Sequence, residues 1–130
     1  MWQHGHFHWN ELMTRDVEAA KAFYSNVIGW TFDGMPMPDG NGTYWVGMDG
    51  DQPVGGIFDM SGIDEFEGMP PQWMSYLAVD DVDARVEAAV KAGAKIVQPA
   101  IDIPDVGRFI MIKDGGGAVI GWMTPSAAEG

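Results

Sequence analysis

No cysteine occurs in the 130 residues, which excludes disulfides, a thiol nucleophile and any cysteine-based metal site. Basic residues are scarce: seven Lys and Arg stand against 19 Asp and Glu, a formal net charge of −12. Such a chain is repelled by phosphate backbones and by anionic headgroups, so neither nucleic acid nor membrane is expected as a partner. No apolar run approaches bilayer-spanning length, and Met1 is followed by Trp2 rather than by a basic and then a hydrophobic segment. We therefore expect no signal peptide and a cytoplasmic setting. What the chain does have in quantity is Met (ten) and Trp (six). Adaptable Met and flat, amphipathic Trp serve either as plain core or as the lining of a cleft for an aromatic or apolar molecule.

The opening of the chain recurs halfway along. Trp9-Asn10-Glu11-Leu12-Met13-Thr14-Arg15-Asp16-Val17-Glu18-Ala19 is matched by Met74-Ser75-Tyr76-Leu77-Ala78-Val79-Asp80-Asp81-Val82-Asp83-Ala84, an offset of 65 residues. In each copy a strand-like run ends in Asp-Val-(Glu/Asp)-Ala, a helix follows, and a glycine (Gly29 or Gly93) stops it. The reading is one domain over residues 1–130, built from module 1 (about 7–60) and module 2 (about 72–124).

Each module reads as β-α-β-β-β. In the first, a strand runs over 7–14 and Asp16 caps a helix whose Val17, Ala20, Tyr24, Val27 and Ile28 form one buried face. Trp30-Thr31-Phe32 resumes as strand, 35–42 is a hairpin loop, and 44–48 and 54–58 are strands. Residues 61–72 connect the modules, with room for a turn of helix. In the second, 73–79 is a strand, and Asp81 opens a helix with Val82, Val86, Ala89 and Val90 inward. Strands follow at 95–98, 108–112 and 118–123, with a Pro-containing loop over 101–106 and a frayed tail after Pro125.

That order, with Asp16-Val-Glu-Ala-Ala-Lys-Ala-Phe-Tyr-Ser-Asn-Val-Ile-Gly-Trp30 early and Asp114-Gly-Gly-Gly-Ala-Val-Ile120 late, resembles the vicinal oxygen chelate superfamily of glyoxalases, extradiol dioxygenases and bleomycin resistance proteins. The resemblance implies an α+β fold in which two tandem βαβββ modules form an open, cup-shaped mixed sheet. In metal-dependent members, a His or Gln on each module's first strand and a Glu on each last strand hold a divalent ion. The matching first-strand positions here are Trp9 and Met74. The second-module Glu position is Gly121, and Val54-Gly55-Gly56-Ile57 in the first module has no carboxylate. Trp, Met and Gly do not supply the oxygen and imidazole donors such an ion needs, so no metal and no cofactor is expected.

The remaining candidates are side chains that strand alternation sends into the cup. Glu11 falls between Trp9 and Met13 and matches Tyr76 across the repeat. A desolvated carboxylate there suits acid/base work, with Tyr76 donating a hydrogen bond and Arg108 holding an anionic group. Equally, Glu11 and Arg108 form a structural ion pair. Trp9, Met13, Tyr44, Trp73, Met74 and Trp122 are the expected ligand-binding residues. His4, His6 and His8 alternate on the opposite parity and read as a surface N-terminus; a metal held by these histidines after a register shift is the lesser alternative. Gly55-Gly56 marks a bulge or a close backbone approach. The function expected is binding of a small, partly aromatic molecule by a homodimeric glyoxalase- or bleomycin-resistance-like protein, with metal-independent isomerase, lyase or hydrolase chemistry, or as a non-catalytic antibiotic- or metabolite-sequestering binder.

Overall fold

Two aspartates 65 residues apart start both helices in the same way. Asp16 accepts a hydrogen bond from the Ala19 backbone N–H at 3.0 Å, and Asp81 accepts one from that of Ala84 at 3.2 Å. The computed structural model describes residues 2–37, 42–103 and 106–126. Its elements are β1 (His6–Thr14), α1 (Val17–Val27), β2 (Thr31–Pro36), β3 (Thr43–Asp49), β4 (Gln52–Asp59), β5 (Gln72–Ala78), α2 (Val82–Lys91), β6 (Lys95–Ile103), β7 (Gly107–Lys113) and β8 (Val119–Pro125). A 3₁₀ turn over Asp64–Phe66 supplies the helical turn foreseen in the connector. The expected α+β architecture of two βαβββ repeats is therefore present.

The chain divides into two compact units, Trp9–Trp73 and Met1–His8 with Met74–Gly130. In the first, the strand order is β2-β3-β4-β1, with β1 parallel to β4 and antiparallel pairing elsewhere. In the second, the order is β5-β8-β7-β6, with β5 parallel to β8. Each parallel pair joins a repeat's first strand to its last. The N-terminal residues belong to the second unit, where Gly5 N–H donates to Ala78 O at 2.7 Å.

Two strands outrun their sequence signals. Met35 and Pro36 pair with Tyr44 and Thr43, so β2 continues into the stretch expected as loop. β6 continues through Pro99 to Ile103. It tolerates the proline because it ends its unit's strand order and its register shifts on both sides of Gln98. Positions 38–41 and 104–105 of the expected loops, and 127–130 of the expected tail, lie outside the described residues.

The two helices bury differently. Val82 and Val86 of α2 pack with Val79, Ile110 and Ile112 into a core that Ala89 and Trp122 flank, while Val90 stays exposed against expectation. α1 has no fully buried residue: Val17, Ala20 and Tyr24 are half-buried, and Val27 and Ile28 are exposed. The expected buried face thus reaches only as far as Tyr24. Past it the helix unwinds at Gly29, whose φ of 91° turns the chain away toward β2. Among the described residues no helix is long and apolar enough to cross a membrane.

Candidate functional site

β1 places Glu11 and Met13 on its buried face, and both are almost fully enclosed: Glu11 is 2% exposed. The parallel pairing sets Glu11 opposite Gly56 of β4. Over Gly56 lies the ring of Tyr44, delivered from β3 and 1% exposed. A Cβ at Gly56 would fall on the Tyr44 hydroxyl, so only glycine leaves room for that ring. Gly55 likewise brings its backbone close to Asn10 O, while the β3–β4 bulge sits instead between Gly47 and Met48. Of the two readings of the glycine pair, close approach is the one observed.

Tyr44 joins the site's polar groups. Trp9 Nε1 donates to the Tyr44 hydroxyl at 2.9 Å, and that hydroxyl also hydrogen-bonds Glu11. Burial, and next the charge of Glu11, hold the Tyr44 pKa well above its ordinary 10.0. The phenol therefore keeps its proton and donates it toward the carboxylate while accepting from Trp9. Trp9, Glu11 and Tyr44 form one relay of neutral donors ending on a buried acid. Tyr44 is among the expected ligand-binding residues; its polar role depends on β3–β4 register and carries no local signal in the sequence.

The second unit repeats the arrangement without the acid. Tyr76 pairs with Gly121 in the parallel β5–β8 ladder, and a Cβ at Gly121 would fall inside the Tyr76 ring. Tyr76 also packs on Phe109, with ring centroids 5.2 Å apart. Met74 is buried on the same face of β5. Glu11 and Tyr76 are 65 residues apart, as are Gly56 and Gly121, so the repeat extends to this pairing.

Three expected site residues are elsewhere. Arg108 is held by two other acids: its guanidinium binds Asp102 at 2.8 Å and Asp83 at 3.1 Å, near the start of α2. Trp73 is half-exposed and donates through Nε1 to the Tyr24 hydroxyl at 3.2 Å, on the α1 side of its strand. Trp122 packs against the α2 core, on the face opposite Gly121. One position of a strand separates Trp73 from Met74 and Trp122 from Gly121, and alternation turns each indole away.

The family model of the Glyoxalase/Bleomycin resistance protein/Dioxygenase superfamily matches residues 5–121. The chain belongs to this superfamily. It is 43% identical over 113 residues to a Mycobacterium tuberculosis protein named "Putative glyoxylase CFP32", covering 87% of this chain and 43% of the relative. It is 29% identical over 133 residues to the anthracycline biosynthesis protein DnrV of Streptomyces peucetius, covering 94% and 48%. The chain thus spans about half the length of these curated relatives. In fold it is similar to methylmalonyl-CoA epimerase from M. tuberculosis, with a TM-score of 0.61, 19% identity and coverage of 94% and 88%.

The divalent ion of the superfamily's metal-dependent members does not fit these residues. At the corresponding positions Trp9 presents an N–H donor already bound to Tyr44, Met74 offers a buried thioether, and the space beside Gly56 and Gly121 belongs to tyrosine rings. The histidine alternative is not assembled either. His4 Nδ1 accepts from the Asp80 backbone N–H at 3.0 Å, and no three His, Asp or Glu of the described residues gather as a metal site.

Proposed function

We propose that this member of the superfamily binds a small, partly aromatic or apolar molecule and acts on it without a metal, through Glu11. The observation that carries this reading is a carboxylate buried to 2% exposure and held by the Trp9–Tyr44 donor relay. Enclosing an acid costs stability unless something returns the cost, and a hydrogen-bonded acid beside an indole and a thioether is equipped to take and return a ligand proton. Such a step conserves protons and needs no redox partner. Tyr44 sets the carboxylate's orientation, and Trp9 and Met13 provide the apolar contact.

Sequestration without turnover is the second reading, and the relative named for anthracycline biosynthesis suggests the planar aromatic class with which to test both. Both readings require a planar aromatic ligand to reach Trp9. Titrating the protein with an anthracycline aglycone and other planar phenols and quinones should quench tryptophan fluorescence saturably, and Glu11→Gln should weaken binding by at least about tenfold. Change of the bound compound over time separates an enzyme from a binder. Absence of saturable quenching across the panel, or wild-type affinity in a folded Glu11→Gln, overturns the reading.

A further inference from the structure

We propose that the connector after β4 forms a second small-molecule site, which takes a free α-amino acid with an apolar side chain. Residues between 60 and 70 and Arg15, one position past the end of β1, line an open cavity of about 560 Å³. The connector is pinned in place. Met60 N–H donates to Thr14 O at 2.9 Å, and the Arg15 guanidinium donates to Phe66 O and Met69 O, each at 2.9 Å. Phe66 is 1% exposed, its ring edge-on to Phe58. A compact loop tied at both its ends and its interior holds a shape that a ligand can use.

The charges lining the cavity select the occupant. Arg85 is held by Asp80, and Arg108 by Asp83 and Asp102, whereas Arg15 bonds only backbone carbonyls among the described residues. Two carbonyls use two of the five N–H donors of a guanidinium, so Arg15 keeps donors and a positive charge for a ligand carboxylate. A simple anion leaves the match incomplete, because Asp64 and Glu67 line the same cavity. Both signs are presented together, beside apolar lining from buried Met60 and half-buried Ile63 and Met69. An α-amino acid carries the complementary set: a carboxylate for Arg15, an ammonium for Asp64 or Glu67, and a side chain for the apolar lining. Trp9, Glu11, Tyr44 and Gly56 do not line this cavity, which is separate from the acid/base site.

Isothermal titration with L-leucine, L-methionine and L-phenylalanine should show saturable binding of at least one of them. For the tightest, the matching amine without the carboxylate should bind at least about tenfold more weakly, and the matching acid without the ammonium at least about threefold. Arg15→Gln should abolish binding. Because that change also unties the connector, Asp64→Asn combined with Glu67→Gln, which alters only exposed groups, carries the test if Arg15→Gln fails to fold. The combined variant should bind at least about threefold more weakly, and Glu11→Gln should bind the amino acid as the unmodified protein does. No saturable binding of any of the three at millimolar concentration overturns the proposal. So does an analogue that binds as tightly as its amino acid, unchanged affinity in the combined variant, or loss of amino-acid binding in a folded Glu11→Gln.

Discussion

Tyr44→Phe tests the site at its centre. The substitution keeps the ring over Gly56 and deletes one oxygen, which accepts from Trp9 and donates to Glu11. The bond to a charged acceptor is worth about 1.5–3 kcal/mol and the neutral one about 0.5–1.5 kcal/mol, so the variant should lose roughly 2–4 kcal/mol. At this chain length that is about 3–5 °C of Tm per kcal/mol. In a Glu11→Gln background the lost donor faces a neutral amide, and the same deletion should cost about 1–2 kcal/mol less. Urea unfolding of the two single variants and the double variant measures that coupling directly. Alkaline pH supplies a second reading. Because the folded-state pKa of Tyr44 is raised above 10.0, its contribution is fully present below pH 10 and lost as pH climbs toward the folded value. The stability gap between wild type and Tyr44→Phe should therefore be flat below pH 10 and narrow above it, by up to about 1.4 kcal/mol per pH unit. A coupling below about 0.3 kcal/mol, or a gap that does not narrow, would refute the relay.

Gly121→Ala drives a methyl into the Tyr76 ring and should cost about 1–3 kcal/mol by thermal melting, with the cost absent in a Tyr76→Ala background. Elemental analysis of untagged protein should find far less than one divalent metal per chain; a stoichiometric ion lost on His6 or His8 substitution would show that the N-terminus binds it after all.

Both helix caps, the glycine stops and the parity of β1 were legible in the sequence, because each rests on local chemistry: a side-chain oxygen near free N–H groups, a residue tolerant of positive φ, and a period of two. The placement of Trp73 and Trp122 follows the same period of two, since each adjoins a residue, Met74 or Gly121, on the opposite face of its strand. Arg108 was not readable in the same way. Its partners Asp83 and Asp102 lie 25 and 6 residues away, and a chain with 19 acids offers an exposed arginine several carboxylates before Glu11. Nor was the incomplete cover of α1 readable. Apolar residues at helical spacing state that a face seeks burial, not whether its own domain supplies it.

The fate of the two ligand-position glycines ties these strands together. Where the superfamily's metal-dependent members need a carboxylate side chain, each repeat here has none, and each fills the vacated volume with a tyrosine. The tyrosines come by different routes: Tyr76 stands on the strand paired directly with Gly121, whereas Tyr44 crosses from β3 because Glu11 occupies the equivalent place opposite Gly56. A repeat that merely lost its ligands would be expected to fill with apolar side chains in both halves, since that is the cheapest repair of a core. The first repeat instead keeps an acid and arranges a phenol and an indole to satisfy it. Glu11 opposite Gly56 thus breaks the match to Tyr76 opposite Gly121 with a buried acid, and the proposed acid/base reading rests on that difference.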